Sequence, residues 1–191
     1  MEFRKLGRTG FTVNPLGLGT EYLIGAEHTH IVRMIRYAFE HGINYYELFP
    51  ANPQFRDAMG EAFKPFRKQV LLSAHLGAQV VRTQYDKTRD VAECRAWFDD
   101  YLLRFRTDYV DILFLHNIDS QDDYDTVMAP NSVLALAQEL KQRGLARAIG
   151  YSGHMVNTSL QAVESGIIDV LLFPVNLASN TVIAPQENNT A

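Results

Sequence analysis

Apolar residues in this chain follow two rhythms that alternate along its length. Short continuous runs bounded by glycine or polar residues read as buried strands at 16–20, 43–47, 70–74, 109–116, 146–151 and 168–175. Between them, apolar positions recur every three or four residues and predict helices over 30–41, 54–63, 91–105, 132–143 and 158–164. The first helix carries Ile31, Met34, Ile35, Ala38 and Phe39 on one face and stops at Gly42, suited to the left-handed turn beyond a helix. Ahead of these elements, residues 3–6 and 11–13 flank Gly7-Arg8-Thr9-Gly10 and predict a short hairpin.

Strands and helices in strict alternation, with the strands apolar throughout, point to a parallel sheet covered by helices. Such a sheet is either open and doubly wound or closed as a barrel. The open dinucleotide-binding sheet calls for a third glycine where Gly17-Leu18-Gly19-Thr20-Glu21-Tyr22 has Tyr22, so the match is weak. Four strand runs end in residues of catalytic type: Glu47, His75, His116, and Ser152-Gly153-His154. In a barrel of parallel strands those ends converge on one mouth, where active sites sit. A shared space holding three imidazoles and a carboxylate is therefore expected.

At 191 residues, 47% hydrophobic and 21% charged, the chain can bury a sizeable core. Net charge is −4 with no basic run, which argues against nucleic acid and anionic membranes as partners. Cys94 is the single cysteine, so no intrachain disulfide or cysteine-only metal site can form. No apolar stretch reaches the ~18 residues of a membrane span. A cytoplasmic protein is the expectation.

Several segments resemble landmarks of the aldo-keto reductase family, in the family's order. They are Phe3-Arg-Lys-Leu-Gly-Arg-Thr-Gly10, Leu16-Gly-Leu-Gly-Thr20, Gly42-Ile-Asn-Tyr-Tyr46, Asp108-Tyr-Val-Asp111 with Leu115-His116, and Arg147-Ala-Ile-Gly-Tyr-Ser152. The resemblance covers residues 1–180 and leaves 181–191 as a polar C-terminal tail. It implies an α/β fold of the (β/α)₈ TIM-barrel type, incomplete at about six β/α units and led by an N-terminal β-hairpin. The implied activity is reduction of a small aldehyde or ketone by NADPH or NADH. In the family, strands seven and eight hold the cofactor's phosphates, and the strand count here stops short of them. The two edges of a six-stranded sheet also invite self-association.

Carried over by position, the family's aspartate, tyrosine, lysine and histidine fall on Glu47, Asn52, His75 and His116. The resemblance places cofactor contacts at Gly19, Thr20, Ser152 and Asn176. Gly153 stands at the asparagine that usually follows the serine, Leu172 at the usual glutamine, and Glu21 where a tryptophan is common. With Asn52 in place of the tyrosine, His75 beside Glu47 becomes the candidate proton donor. Tyr85, Tyr109 and Tyr124 are other replacements, though Tyr109 begins its strand rather than ending it. Tyr45, Tyr46, Phe49 and Phe55 offer an apolar wall or core filling. Two readings stand beside the reductase. One is a non-enzymatic barrel relative or fragment that binds a ligand or partner. The other is a metal site of Glu47, His75 and His116, with His154 as a fourth ligand.

Overall fold

The computed structural model describes residues 2–82 and 84–175. Strands β1 (Arg4–Lys5) and β2 (Thr12–Val13) pair antiparallel as the expected hairpin. Behind it, β3 (Leu18–Gly19), β4 (Tyr45–Glu47), β5 (Leu71–Leu76), β8 (Val110–Leu115), β9 (Ala146–Ser152) and β10 (Val170–Leu172) form one six-stranded sheet. Every pairing in it is parallel, and spatial order follows chain order. The result is a curled half-barrel. Asn176 and the 181–191 tail lie outside the described residues.

Helices α1 (His28–Glu40), α2 (Pro53–Phe63), α3 (Val91–Phe105), α5 (Val133–Gln142) and α6 (Val156–Glu164) match the periodic segments. Their starts are chemically marked: Pro53 opens α2, Asp90 accepts from the Glu93 N–H, and Ser132 accepts from the Leu134 N–H. Past the end of α1, Gly42 takes a φ of +88°, which a side chain would resist.

Strand residues alternate between two cores. Outward members such as Leu72, Ala74, Leu76, Leu113, Leu115 and Tyr151 pack under the helices in the main cluster. Inward members Leu71, Ile112, Phe114 and Ala148 form a second cluster with Phe11 of the hairpin. Phe114 keeps its place because Gly150 faces it: a Cβ there would lie 2.2 Å from the Phe114 ring. On the same inward face, one step further along each strand, come Glu47, His75, His116 and Ser152. A period of two therefore converts an apolar floor into a polar rim.

Two ion-paired nodes close the floor. Buried Asp111, near the start of β8, accepts from Arg67 Nη1 at 3.0 Å, Arg147 Nη1 at 2.7 Å and the Leu72 N–H at 2.9 Å. Arg8, in the hairpin turn, donates to the carbonyls of Gly166 at 2.6 Å and Ile168 at 3.0 Å. It also pairs with Asp169 at 3.3 Å.

Two elements have no counterpart in the hydrophobic pattern. One is the antiparallel hairpin of β6 (Ala78–Val81) and β7 (Gln84–Lys87); the other is α4 (Gln121–Met128). β7 is exposed throughout and α4 buries only Val127, so neither has an apolar face to announce it. α4 forms because Ser120 caps the Asp123 N–H and Asp122 and Asp123 sit in its first turn.

Candidate active site

Glu47, His75 and His116 meet at the C-terminal rim of the sheet. Parallel register sets their heights: Gly19 lies beside Glu47, His75 beside Phe114, and the His116 N–H bonds the Leu76 carbonyl. Thr20 Oγ1 donates to the Glu47 carbonyl at 2.8 Å and ties β3 to the end of β4. That bond takes the hydroxyl, and Thr20 does not line the cavity.

The polar groups form a line rather than a cluster. Glu47 Oε1 is 2.8 Å from His75 Nε2, at ion-pair distance but off the hydrogen-bonding angle. His75 Nδ1 is 2.8 Å from His116 Nδ1. His116 Nε2 in turn meets the Tyr85 hydroxyl, delivered by β7. Since a carboxylate only accepts, one assignment of protons satisfies both hydrogen bonds and turns an N–H toward Glu47. His75 carries its proton on Nε2 and His116 on Nδ1, leaving His116 Nε2 to accept from the Tyr85 O–H.

Burial, above all, pushes the His116 pKa well below the usual imidazole value, and His75, Arg89, Lys87 and His154 add to the effect. Burial likewise raises the Tyr85 phenol, against the lowering influence of Asn117 and Arg89. A neutral imidazole facing a neutral phenol is the resting state. The surroundings are aromatic: Phe49 stacks on His116 at a centroid separation of 5.9 Å and meets Tyr85 edge-on at 5.5 Å. Phe114 lies 5.0 Å from the His75 ring.

Tyr85 reaches this position because the β6–β7 hairpin is anchored to the loop after β8. Arg89 holds both Asp123 carboxylate oxygens, at 2.6 and 2.7 Å, and donates to the His116 carbonyl at 2.8 Å. Lys87 Nζ donates to the Asn117 carbonyl and to Asp123, each at 3.1 Å. No spacing in the chain foretells this clamp.

A cavity of about 980 Å³ opens over the line of groups, bordered by Tyr45, Glu47, Phe49, His75, Tyr85, Phe114, His116 and Ser152. Gly19, Asn117 and His154 also border it. Asn117 Oδ1 is buried without a hydrogen-bond partner in the protein, while the Asn117 amide lies against the Tyr85 phenol. His154 Nδ1 is held by Asp119 at 2.9 Å on the exposed rim.

The other candidates stand apart. Asn52 precedes α2, set there by the Pro53 that opens the helix, and does not line the cavity. Tyr109 stacks under Arg67 at the opposite end of β8, and Tyr124 faces Tyr151 beneath the helices. Tyr46 and Phe55 are buried in the main core, whereas Tyr45 and Phe49 reach the cavity. His75 has both ring nitrogens facing neighbours and its side chain is 2% exposed, which leaves no approach for a substrate oxygen.

The metal reading fails on donor direction. Glu47 addresses Nε2 of His75 while His116 addresses Nδ1, on the other side of the ring, so the three donors share no focus. Among the described residues, no group of three or more histidine, cysteine, aspartate or glutamate residues is arranged to hold an ion.

The depressed His116 carries a stability consequence. Unfolded, the ring takes a proton near its ordinary value of 6.5; folded, it does so only well below that. Between those limits the unfolded chain binds more protons, so stability falls as pH falls, by up to about 1.4 kcal/mol per pH unit. Urea midpoints at about pH 7.5 and about pH 5 should show this loss, and a His116→Gln variant should show less of it.

A sequence profile of the aldo/keto reductase family matches residues 15–179. L-galactose dehydrogenase of Arabidopsis thaliana is 28% identical over 184 residues, covering 90% of this chain and 56% of that protein. A crystallised Pseudomonas aeruginosa protein assigned to the aldo-keto reductases superposes with a TM-score of 0.80 at 26% identity, covering 94% of this chain and 70% of the other. The holo form of an aldo-keto reductase from Bacillus halodurans superposes with a TM-score of 0.76 at 24% identity, covering 92% of this chain and 58% of that one. The chain thus spans about half the length of the curated relatives it matches, 56% for the Arabidopsis enzyme.

Proposed function

The chain belongs to the aldo-keto reductase family, and from that premise we propose that it interconverts a small aldehyde or ketone with its alcohol, using NADPH or NADH. The observation that carries this reading is the line of Glu47, His75, His116 and Tyr85 opening into the 980 Å³ cavity. A carbonyl reduction needs a group that passes one proton to or from the substrate oxygen, and a buried line of exchangeable protons is fitted to that task. Phe49, Tyr45 and Phe114 give the same space an apolar wall that would flank the carbon skeleton of a small substrate.

The nicotinamide end of the cofactor fits the residues at this rim. Asn117, Ser152 and Gly19 border the same space, and the two polar side chains would face the carboxamide. Nicotinamide, when bound, supplies or takes up the hydride. The residues of this chain supply the proton, the orientation and the apolar surroundings. Cavity-lining Arg4 and Lys5 belong to the N-terminal hairpin, away from the rim, so the phosphates are expected to gain little from them. Cys94, buried in α3 with its thiol pushed up to about 11, accords with the cytoplasmic placement proposed here.

The test is direct. Quenching or enhancement of reduced nicotinamide fluorescence on titration with the protein should saturate. Consumption of the cofactor should then depend on added carbonyl compound. The name of the Arabidopsis relative makes aldoses and small hydroxyaldehydes the first substrates to try. No carbonyl-dependent consumption across such a panel, in either direction of reaction, would overturn the proposal.

A further inference from the structure

We propose that Tyr85 is the catalytic residue that exchanges a proton with the substrate's oxygen, at the outer end of a relay running through His116 and His75 to Glu47. This rests on the carbonyl–alcohol reading above. Three observations carry it. Among the described residues of the β6–β7 hairpin, Tyr85 alone lines the cavity. Its hydroxyl is in contact with His116 Nε2, the one ring nitrogen of the histidine pair that faces outward. Phe49 packs against both rings and fixes the phenol over the imidazole.

No other tyrosine qualifies. Tyr45 lines the cavity two residues before Glu47 on β4, where burial and the nearby Glu47 raise its phenol, and it is not in contact with either histidine of the line. The Tyr85 hydroxyl is the nearest group of the relay to open space, since His75 is enclosed and Glu47 faces the Nε2 side of that ring.

Proton movements balance along the line. When an alcohol is oxidised, its O–H bond breaks and the proton joins the Tyr85 oxygen, while the phenolic proton passes to His116 Nε2. The Nδ1 proton of His116 moves to His75 Nδ1, and the Nε2 proton of His75 passes to Glu47, 2.8 Å away, once the two groups turn into line; Glu47 ends as a carboxylic acid. The carbon's hydride leaves to the oxidised nicotinamide. In reduction every proton retraces its path: Glu47 enters protonated and the substrate's oxygen receives the proton of Tyr85. Charged or titrating neighbours are Arg89, Asp119 and Asp86 around the phenol, and Arg89, Lys87 and His154 around His116.

Tyr85→Phe is the decisive variant; the ring lies on an exposed strand and its packing against Phe49 survives. Its kcat should fall roughly 10²–10⁴-fold with cofactor binding unchanged. In the cofactor-free protein, the ¹⁵N resonance of His116 Nε2 should move to that of an acceptor without a donor. Fluorotyrosine at position 85, a more acidic phenol of nearly the same shape, should shift a limb of the kcat–pH profile to lower pH. A kcat within about twofold of wild type, or a loss confined to KM, would overturn the assignment. So would a profile indifferent to fluorination. Activity retained in Tyr85→Phe sinks this proposal alone, whereas an inactive parent protein sinks the functional reading with it.

Discussion

A His116→Gln variant is expected to fold and to lose about 10²–10⁴-fold in kcat, with a smaller change in KM. Glutamine spans part of the gap between Tyr85 and His75, with an amide that donates on one side and accepts on the other. What it cannot do is take a proton at one end and release another from the opposite end. His116 has a ring nitrogen for each task, Nε2 facing Tyr85 and Nδ1 facing His75. The variant thus separates hydrogen bonding from proton transfer. Steady-state kinetics with the best carbonyl substrate, beside a urea midpoint at neutral pH, would check it. A variant with near-normal kcat would place the proton path elsewhere.

At the other end of the barrel, Asp111→Ala should destabilise the fold by about 3–5 kcal/mol without touching the cavity. The carboxylate is 0% exposed and answers two arginines and the N–H of Leu72. Its loss strands the partly buried Arg67 cation, whose other partners are the neutral groups Thr107 Oγ1 and the Val70 and Tyr109 carbonyls. It also leaves a strand amide at the core without an acceptor. Asp111→Asn, which keeps an acceptor for one or two of these bonds, should lose less. Urea unfolding with an unchanged m-value would establish the size of the effect, and a loss below about 1 kcal/mol would show that water repairs the site.

The barrel and most of its rim were legible in the chain because both follow from a period of two. Once residues 71, 112 and 148 face inward, so do His75, His116 and Ser152, and those are the residues the strand ends pointed to. What pattern alone could not supply is the hairpin of β6 and β7. Its strands bury little, and its position depends on an Arg89–Asp123 ion pair joining residues 34 apart. Tyr85 was one of three tyrosines able to stand in for the missing one, and only distance chooses among them. Thr20 illustrates a subtler limit. The resemblance places a cofactor contact at Thr20, and in the structure its hydroxyl donates to the Glu47 carbonyl, a bond that no pattern in the chain announces. Asn52, matched by position alone, lands on a helix start because Pro53 follows it.

Arg8 adds a consequence for how the molecule is made. The turn it belongs to is translated well before its acceptors at Gly166 and Ile168, which follow some 158 and 160 residues later. Phe11, which the same turn presents, rests against β5, β8 and β9 side chains, the last of these also translated late. Until β9 is made, that phenylalanine is only partly covered, a sticky patch awaiting the rest of its lid. Contacts of such long separation slow folding and prolong exposure to aggregation, so nascent chains halted before residue 166 should be the ones that chaperones retain.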